Sequence, residues 1–206
     1  MRDPYLYPNT EILINKHDIK DQIILGEMEA EYASLRLKQI VENPLLGDYN
    51  FQHFCEFHRW IFQDMYEWAG ESRTIDIEKT EPALGGISIE YTTFNEIEIA
   101  ATRVLDEMKS IKWNKLTLDE KAENFSKYLA MLWKIHGFRE GNTRTVVTFC
   151  CQFADRKGFP IDRTLFEENS AYVRTSLVAA SAIFEDLGDK SKPEYLIRIV
   201  RDSLGK

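Results

Sequence analysis

Apolar and polar positions alternate along this chain in two different rhythms, and the rhythms predict its elements. From Asp18 to about Val41, Ile24, Met28, Tyr32, Leu35 and Leu37 recur near helical spacing, predicting an amphipathic helix closed near Asn43 and Pro44. The stretch FQHFCEFHRWIFQDMYEWAG places seven aromatics between Phe51 and Trp68, which predicts a core helix ending at Gly70. Helical patterning returns from about Phe94 to Ile111 and from Leu118 to Ile135, where Ala122, Phe125, Leu129, Leu132 and Ile135 form one stripe. It returns again from Thr145 to Arg156, which stops at Gly158 and Pro160, and in Thr164 to Leu187 and Pro193 to Leu204.

Between these helices the period shortens to two. Ile75, Ile77, Ile87 and Ile89 alternate with polar residues on either side of Gly85 and Gly86, which predicts a β-hairpin over residues 73–91. A lone hairpin is marginal, so it leans on the helices or waits for a peptide to pair with its edge. The opening residues 1–17, with two prolines among large apolar side chains, predict an extended arm tucked onto the core. The expected architecture is mostly α, a helical bundle bearing one hairpin, in a single domain spanning 1–206.

Composition narrows the functional classes. The chain has 206 residues, 44% hydrophobic and 29% charged, enough for one good-sized core. It carries no apolar run of the roughly 20 residues a membrane span needs, and its N-terminus lacks the layout of a secretory signal. A cytoplasmic location without membrane contact is expected. A net charge of −8 argues against direct nucleic-acid binding, which draws on surplus Lys and Arg. Cys55, Cys150 and Cys151 have neither disulfide parity nor metal-ligand spacing and are expected to be buried thiols; His53 and His58, without further ligands at suitable spacing, are expected to be structural.

One string concentrates chemistry: HGFREGNTR, from His136 to Arg144, falls between two predicted helices. Gly141, Asn142 and Thr143 then occupy the entry turn of the second helix, whose first N–H groups lack intrahelical partners and form a ready anion site. A phosphate suits it. Glu140 can hold Mg²⁺ together with phosphate oxygens, Arg144 can neutralise those oxygens through its planar fork, and His136 can take a proton from an attacking hydroxyl. The set describes phosphoryl or nucleotidyl transfer.

The string also resembles the signature of Fic domains, His-x-Phe-x-(Asp/Glu)-Gly-Asn-Gly-Arg-x-x-Arg, with His136, Phe138, Glu140, Gly141, Asn142 and Arg144 matching. The RDPYLYP arm, the WAG stretch at Trp68 to Gly70 and the RTIDI stretch that follows are similar to those of bacterial Fic toxins. The resemblance implies a Fic-type bundle with a hairpin flap and a catalytic core at 118–158, acting as a protein adenylyltransferase in a bacterial cytoplasm. ATP would be the substrate, Mg²⁺ the metal and a Ser, Thr or Tyr hydroxyl of a target protein the acceptor. It makes His136 the general base, Phe138 a packing anchor and Glu140 the metal ligand, with Gly141, Asn142, Thr143, Arg144 and Arg139 around the phosphates. Ile75, Asp76, Ile77, Gly85, Gly86, Ile87 and Ile89 of the flap would dock the target. The alternatives are a Fic-fold transferase of phosphate or phosphocholine, or a weakly active, regulated binding module.

The sequence departs from the signature at three places. Gly137 stands where the family usually has Pro, Thr143 where it has Gly, and Val147 where it has the final Arg that helps hold terminal phosphates. A string of the family's inhibitory form, (Ser/Thr)-x-x-x-Glu-(Gly/Asn), occurs as Thr164 to Asn169, but its Arg partner is missing. Control by a separate antitoxin-like protein, control by homo-oligomerisation, and no such control at all are the alternatives that remain.

Overall fold

The structure, a computed structural model, describes residues 3–204. Met1, Arg2 and the last two residues, parts of the predicted arm and domain, lie outside the described residues. Helices α1 (Gln22–Glu42), α2 (Phe51–Phe62), α3 (Ile97–Ser110), α4 (Leu118–Ile135) and α5 (Asn142–Arg156) are followed by α6 (Arg163–Glu168) and α7 (Ser170–Ala180). Strands β1 (Ile183–Phe184) and β2 (Gly188–Asp189) pair antiparallel, and α8 (Glu194–Leu204) closes the chain. The protein is thus mostly helical with one two-stranded hairpin. Among the described residues no helix is long and apolar enough to cross a membrane.

Local chemistry sets several helix starts. The Asp21 carboxylate accepts the N–H groups of Ile23 and Ile24, and Asn50 accepts that of His53. Thr117 and Glu120 form a reciprocal capping box at the start of α4. The buried faces of α2 and α5 meet around Phe149, whose ring stands edge-on to Phe54, Phe57 and Tyr49 at 5.2–5.3 Å. Helix α4 packs between α3, α5 and α8, so both helices that flank the His136–Arg144 string are anchored in the core. Cys150 and Cys151 are buried and all three cysteines are free.

The hairpin is not where the alternation predicts it. Residues 75–91 run out and back without a backbone ladder, around a short 3₁₀ turn at Pro82–Leu84. Part of this segment and its exit are bonded by side chains: the buried Arg73 guanidinium donates to the carbonyls of Ile75 and Thr92, and the Asp76 carboxylate accepts the Phe94 N–H. Among the described residues side chains link the two arms, Ser88 Oγ accepting the Lys79 N–H at 3.0 Å and Glu81 accepting the Tyr91 hydroxyl at 3.1 Å. The true strand pair interrupts what is predicted as one helix over 164–187. That stretch breaks at Asn169 and Ser181 and turns at Gly188, whose φ of +71° suits glycine.

The predicted core helix over 51–70 also ends early, at Phe62. Beyond it Tyr66 stacks on Trp68 at 4.3 Å and gives its hydroxyl hydrogen to Glu29, while Trp68 meets Tyr5 of the N-terminal arm at 5.4 Å. These aromatics bind the arm to the bundle. The arm folds on itself through an antiparallel bridge between Leu6 and Leu13, and Tyr5 Oη accepts the Thr74 N–H.

Candidate active site

Helix α4 ends at His136, which adopts left-handed backbone geometry (φ +51°) that few non-glycine residues take. The loop that follows is held at every residue. Asn142, the first residue of α5, accepts the Phe138 N–H through Oδ1 at 2.9 Å and donates to the Phe138 carbonyl through Nδ2 at 2.7 Å. The Phe138 ring lies on His58 of α2 at 3.9 Å, and His58 Nε2 donates to the Glu140 carbonyl at 3.0 Å. His58 Nδ1 accepts the Gly70 N–H at 2.8 Å, so both ring nitrogens of this neutral histidine are used. Burial lowers its pKa to about 3, against the pull of the Glu140 carbonyl.

Gly141 is required by shape as well as by conformation. Its φ is +77°, and a Cβ there would lie 2.2 Å from the Phe62 ring. Gly137 has no such backbone demand. Its carbonyl accepts the Arg73 N–H at 2.9 Å, while Arg73 Nε donates to the His136 carbonyl at 2.8 Å.

The ring of His136 is buried against Tyr91 at 4.1 Å. Its Nδ1 faces the Trp133 carbonyl at 3.3 Å, and because a carbonyl only accepts, Nδ1 carries the hydrogen and Nε2 the lone pair. Nε2 is buried and has no hydrogen-bond partner among the described residues. Burial, then the Lys79 ammonium and, further down, the Arg174 and Arg73 guanidiniums, lower the pKa well below 6.5, outweighing the Trp133 carbonyl. The site therefore holds a neutral base with an unoccupied acceptor.

That base opens on a cleft of about 120 Å³ at the N-terminus of α5, where Gly141, Asn142 and Thr143 form one wall. Glu140, Lys79, Arg144 and Arg174 complete it. Glu140 accepts the Gly141 N–H at 2.9 Å and pairs with Lys79 at 3.3 Å. Burial opposes its ionisation, but Lys79, the Gly141 N–H and Arg144 prevail and hold the carboxyl below its usual range. Arg144 lies over the Phe62 ring at 4.7 Å and pairs with Glu29 of α1. Arg174 of α7 lies over the Trp133 ring at 5.2 Å and bonds the buried Glu81 at 2.9 Å. Three cations and one carboxylate thus surround the free N–H groups of a helix start, an environment for a polyanion.

His136, Glu140, Gly141, Asn142, Thr143 and Arg144 accordingly meet at one cleft, and Phe138 is a fully buried anchor beneath it. Two roles change in detail. The Asn142 amide is consumed in holding the loop, and the Thr143 hydroxyl accepts the Trp133 indole N–H at 2.9 Å, so what these residues turn to the cleft for an anion is backbone. Arg139, expected at the phosphates, points away instead. It pairs with Asp3 of the arm at 2.8 Å, beside a wider depression lined by Ile75, Asp76 and Ile77. Of the other flap residues, Gly85, Gly86 and Ile87 form an exposed tip and Ile89 is buried in the core. Val147 packs against the core and Glu168 is exposed on α6, so neither reaches the cleft.

His58 is the structural histidine that its spacing predicts, whereas Lys79, Arg174 and the loop support from Arg73 have no counterpart in the sequence pattern. Nothing in their neighbourhoods marks them: Arg174 lies 30 residues beyond Arg144 on an ordinary amphipathic helix.

A neutral buried histidine, an ionised glutamate and a glycine-opened helix start are thus carried on two core helices, and comparison with known proteins places this arrangement in a Fic-type fold. Residues 48–154 match the model of the Fic/DOC family. The chain belongs to this family. It is 34% identical over 172 residues to a Sinorhizobium fredii protein named "Probable protein adenylyltransferase y4lH", covering 81% of this chain and 83% of that one. It is 30% identical over 161 residues to protein adenylyltransferase VbhT of Bartonella schoenbuchensis, covering 78% of this chain but only 32% of VbhT. Among solved structures, BepC of Bartonella tribocorum, with AMPPNP bound, superposes with a TM-score of 0.78 at 21% identity, over 98% of this chain and 97% of that one.

Proposed function

We propose that this chain transfers AMP from ATP to a Ser, Thr or Tyr hydroxyl of a protein, releasing pyrophosphate. The observation that carries the reading is the buried, orphaned Nε2 of a neutral His136, a residue that lines the cleft at the N-terminus of α5. The incoming hydroxyl gives its proton to Nε2 as its oxygen bonds to the α-phosphorus, and the bond from that phosphorus to the bridging oxygen breaks as pyrophosphate leaves. Backbone N–H groups at the start of α5 and the Arg144 fork stabilise charge on the transferred group. The adenylyltransferase names of the relatives and the nucleotide in BepC support ATP as donor.

The donor set fits Mg²⁺. Glu140 is ionised and directed at the cleft, and among the described residues no cluster of three or more His, Cys, Asp or Glu side chains forms a protein cage. Mg²⁺ favours such a site, taking one carboxylate from protein and the rest from phosphate and water. When bound it would polarise phosphoryl oxygens, with Glu140 as its protein ligand and Lys79 released from that pair. Among the described residues nothing hydrogen-bonds the backbone N–H or C=O of Ile77, which suits this segment to pairing with an extended target strand.

The test is incubation with Mg²⁺ and ATP labelled on the α-phosphate, with bacterial lysate, for the parent and His136→Ala. Label on a protein band that vanishes in the variant is expected. Label from the γ-phosphate instead, or label undiminished in the variant, refutes the reading.

A further inference from the structure

We propose that Arg174 of α7 is a phosphate-binding residue, which grips the donor's polyphosphate from the side of the cleft opposite Arg144 and supplies the cation that position 147 lacks. The proposal rests on the reading of the cleft as a nucleotide site. Arg144 approaches the start of α5 from over the Phe62 ring on the α2 side. Arg174 approaches from over the Trp133 ring on the α4 side, and Trp133 is itself bonded to Thr143 in the wall of the cleft. A chain of phosphates lying across the helix start meets a guanidinium at each flank.

The way Arg174 is held favours this role. Its ion-pair partner Glu81 is 3% exposed, does not line the cleft, and also accepts the Tyr91 hydroxyl at 3.1 Å. Glu81 therefore holds the guanidinium from behind. Only Nη2 of Arg174 is bonded to it, so the rest of a five-donor fork is available to the cleft. Stacking on Trp133 and the bond to Glu81 pre-set the plane of the fork, which lowers the ordering cost when an anion arrives. Val147 makes the need specific: it packs among apolar residues and offers phosphate nothing.

The opposing account makes Arg174 only the counter-ion of a buried carboxylate, and removing Arg174 in a background that lacks that carboxylate separates the two. Binding of Mg-free ATP and of inorganic tripolyphosphate is measured by calorimetry for the parent, Glu81→Gln, Glu81→Gln/Arg174→Ala and Arg174→Lys. The Glu81→Gln background removes the buried charge, so loss of the arginine there leaves no uncompensated carboxylate to unfold the protein. We expect Arg174→Ala in that background to weaken both probes about 10- to 100-fold, the size of a charge-assisted hydrogen bond, and Arg174→Lys to lose less. Equal affinity with and without Arg174 in that background overturns the proposal, as does a parent that binds neither probe. Arg174-dependent tripolyphosphate binding in a protein that transfers no α-label sustains the proposal while the AMP-transfer reading fails.

Discussion

His58 offers a direct measurement of how firmly the loop from His136 to Asn142 is tied to the core. It is fully buried, stacked on Phe138, and uses both nitrogens, so a proton on the folded state would break the bond from the Gly70 N–H. The native pKa is about 3 and the unfolded value 6.5, so between those limits the unfolded chain binds the proton and the native one does not. Stability therefore rises with pH across this window, and the His58 contribution, full above 6.5, is lost as pH falls towards 3. From the unfolded pKa it amounts to about 2 kcal/mol already lost at pH 5, and to about 5 kcal/mol once both states are protonated. His58→Gln keeps a donor for the Glu140 carbonyl but does not titrate. Urea unfolding at pH 7 and pH 5 should show the parent losing about 2 kcal/mol more than the variant over that interval. Equal losses would refute the picture of a neutral histidine locked beneath the loop.

Two further predictions follow from the same geometry. Gly141→Ala forces a Cβ to within 2.2 Å of the Phe62 ring at φ +77°, and should cost at least about 2 kcal/mol in a denaturant melt; a variant within 0.5 kcal/mol of the parent (roughly the error of such comparisons) shows that the loop does not need this conformation. Burial and the neighbouring cations lower the His136 pKa well below 6.5, which favours its base form on the acid side of neutrality. For AMP transfer, kcat/KM should then stay flat from pH 8 to pH 6 and its acid limb should lie lower, whereas a roughly tenfold fall per pH unit starting at 6.5 contradicts a depressed pKa.

Some of this was legible in the residues and some was not. The bounds of α4 match the predicted ones because its apolar stripe and its Thr117–Glu120 capping box act within a few residues. The alternation at Ile75, Ile77, Ile87 and Ile89 reports an extended chain with one face towards the protein, which holds for Ile75, Ile77 and Ile89 but not for Ile87 in the exposed tip. It carries no information on whether the two arms bond to each other; Arg73 takes the Ile75 carbonyl, and among the described residues no backbone ladder joins the arms. The actual hairpin has two residues per strand, too short to impose any period. In the same way Arg139 belongs to the motif by position but to Asp3 by geometry.

What the sequence by itself determined, then, is whatever arises from neighbours in the chain: the helix stripes, the caps, the glycine at the start of α5, and the reactive string with its base, acid and arginine. What only the tertiary structure decided depends on groups brought together from far apart. Desolvation of His136, which makes it a neutral base with a free Nε2, requires Tyr91 and Trp133 around its ring. The field of the cleft requires Lys79, Arg144 and Arg174 from three separate segments, oriented by carboxylates on others. Burial and Coulomb interactions depend on distance in space, and spacing along the chain does not encode that distance.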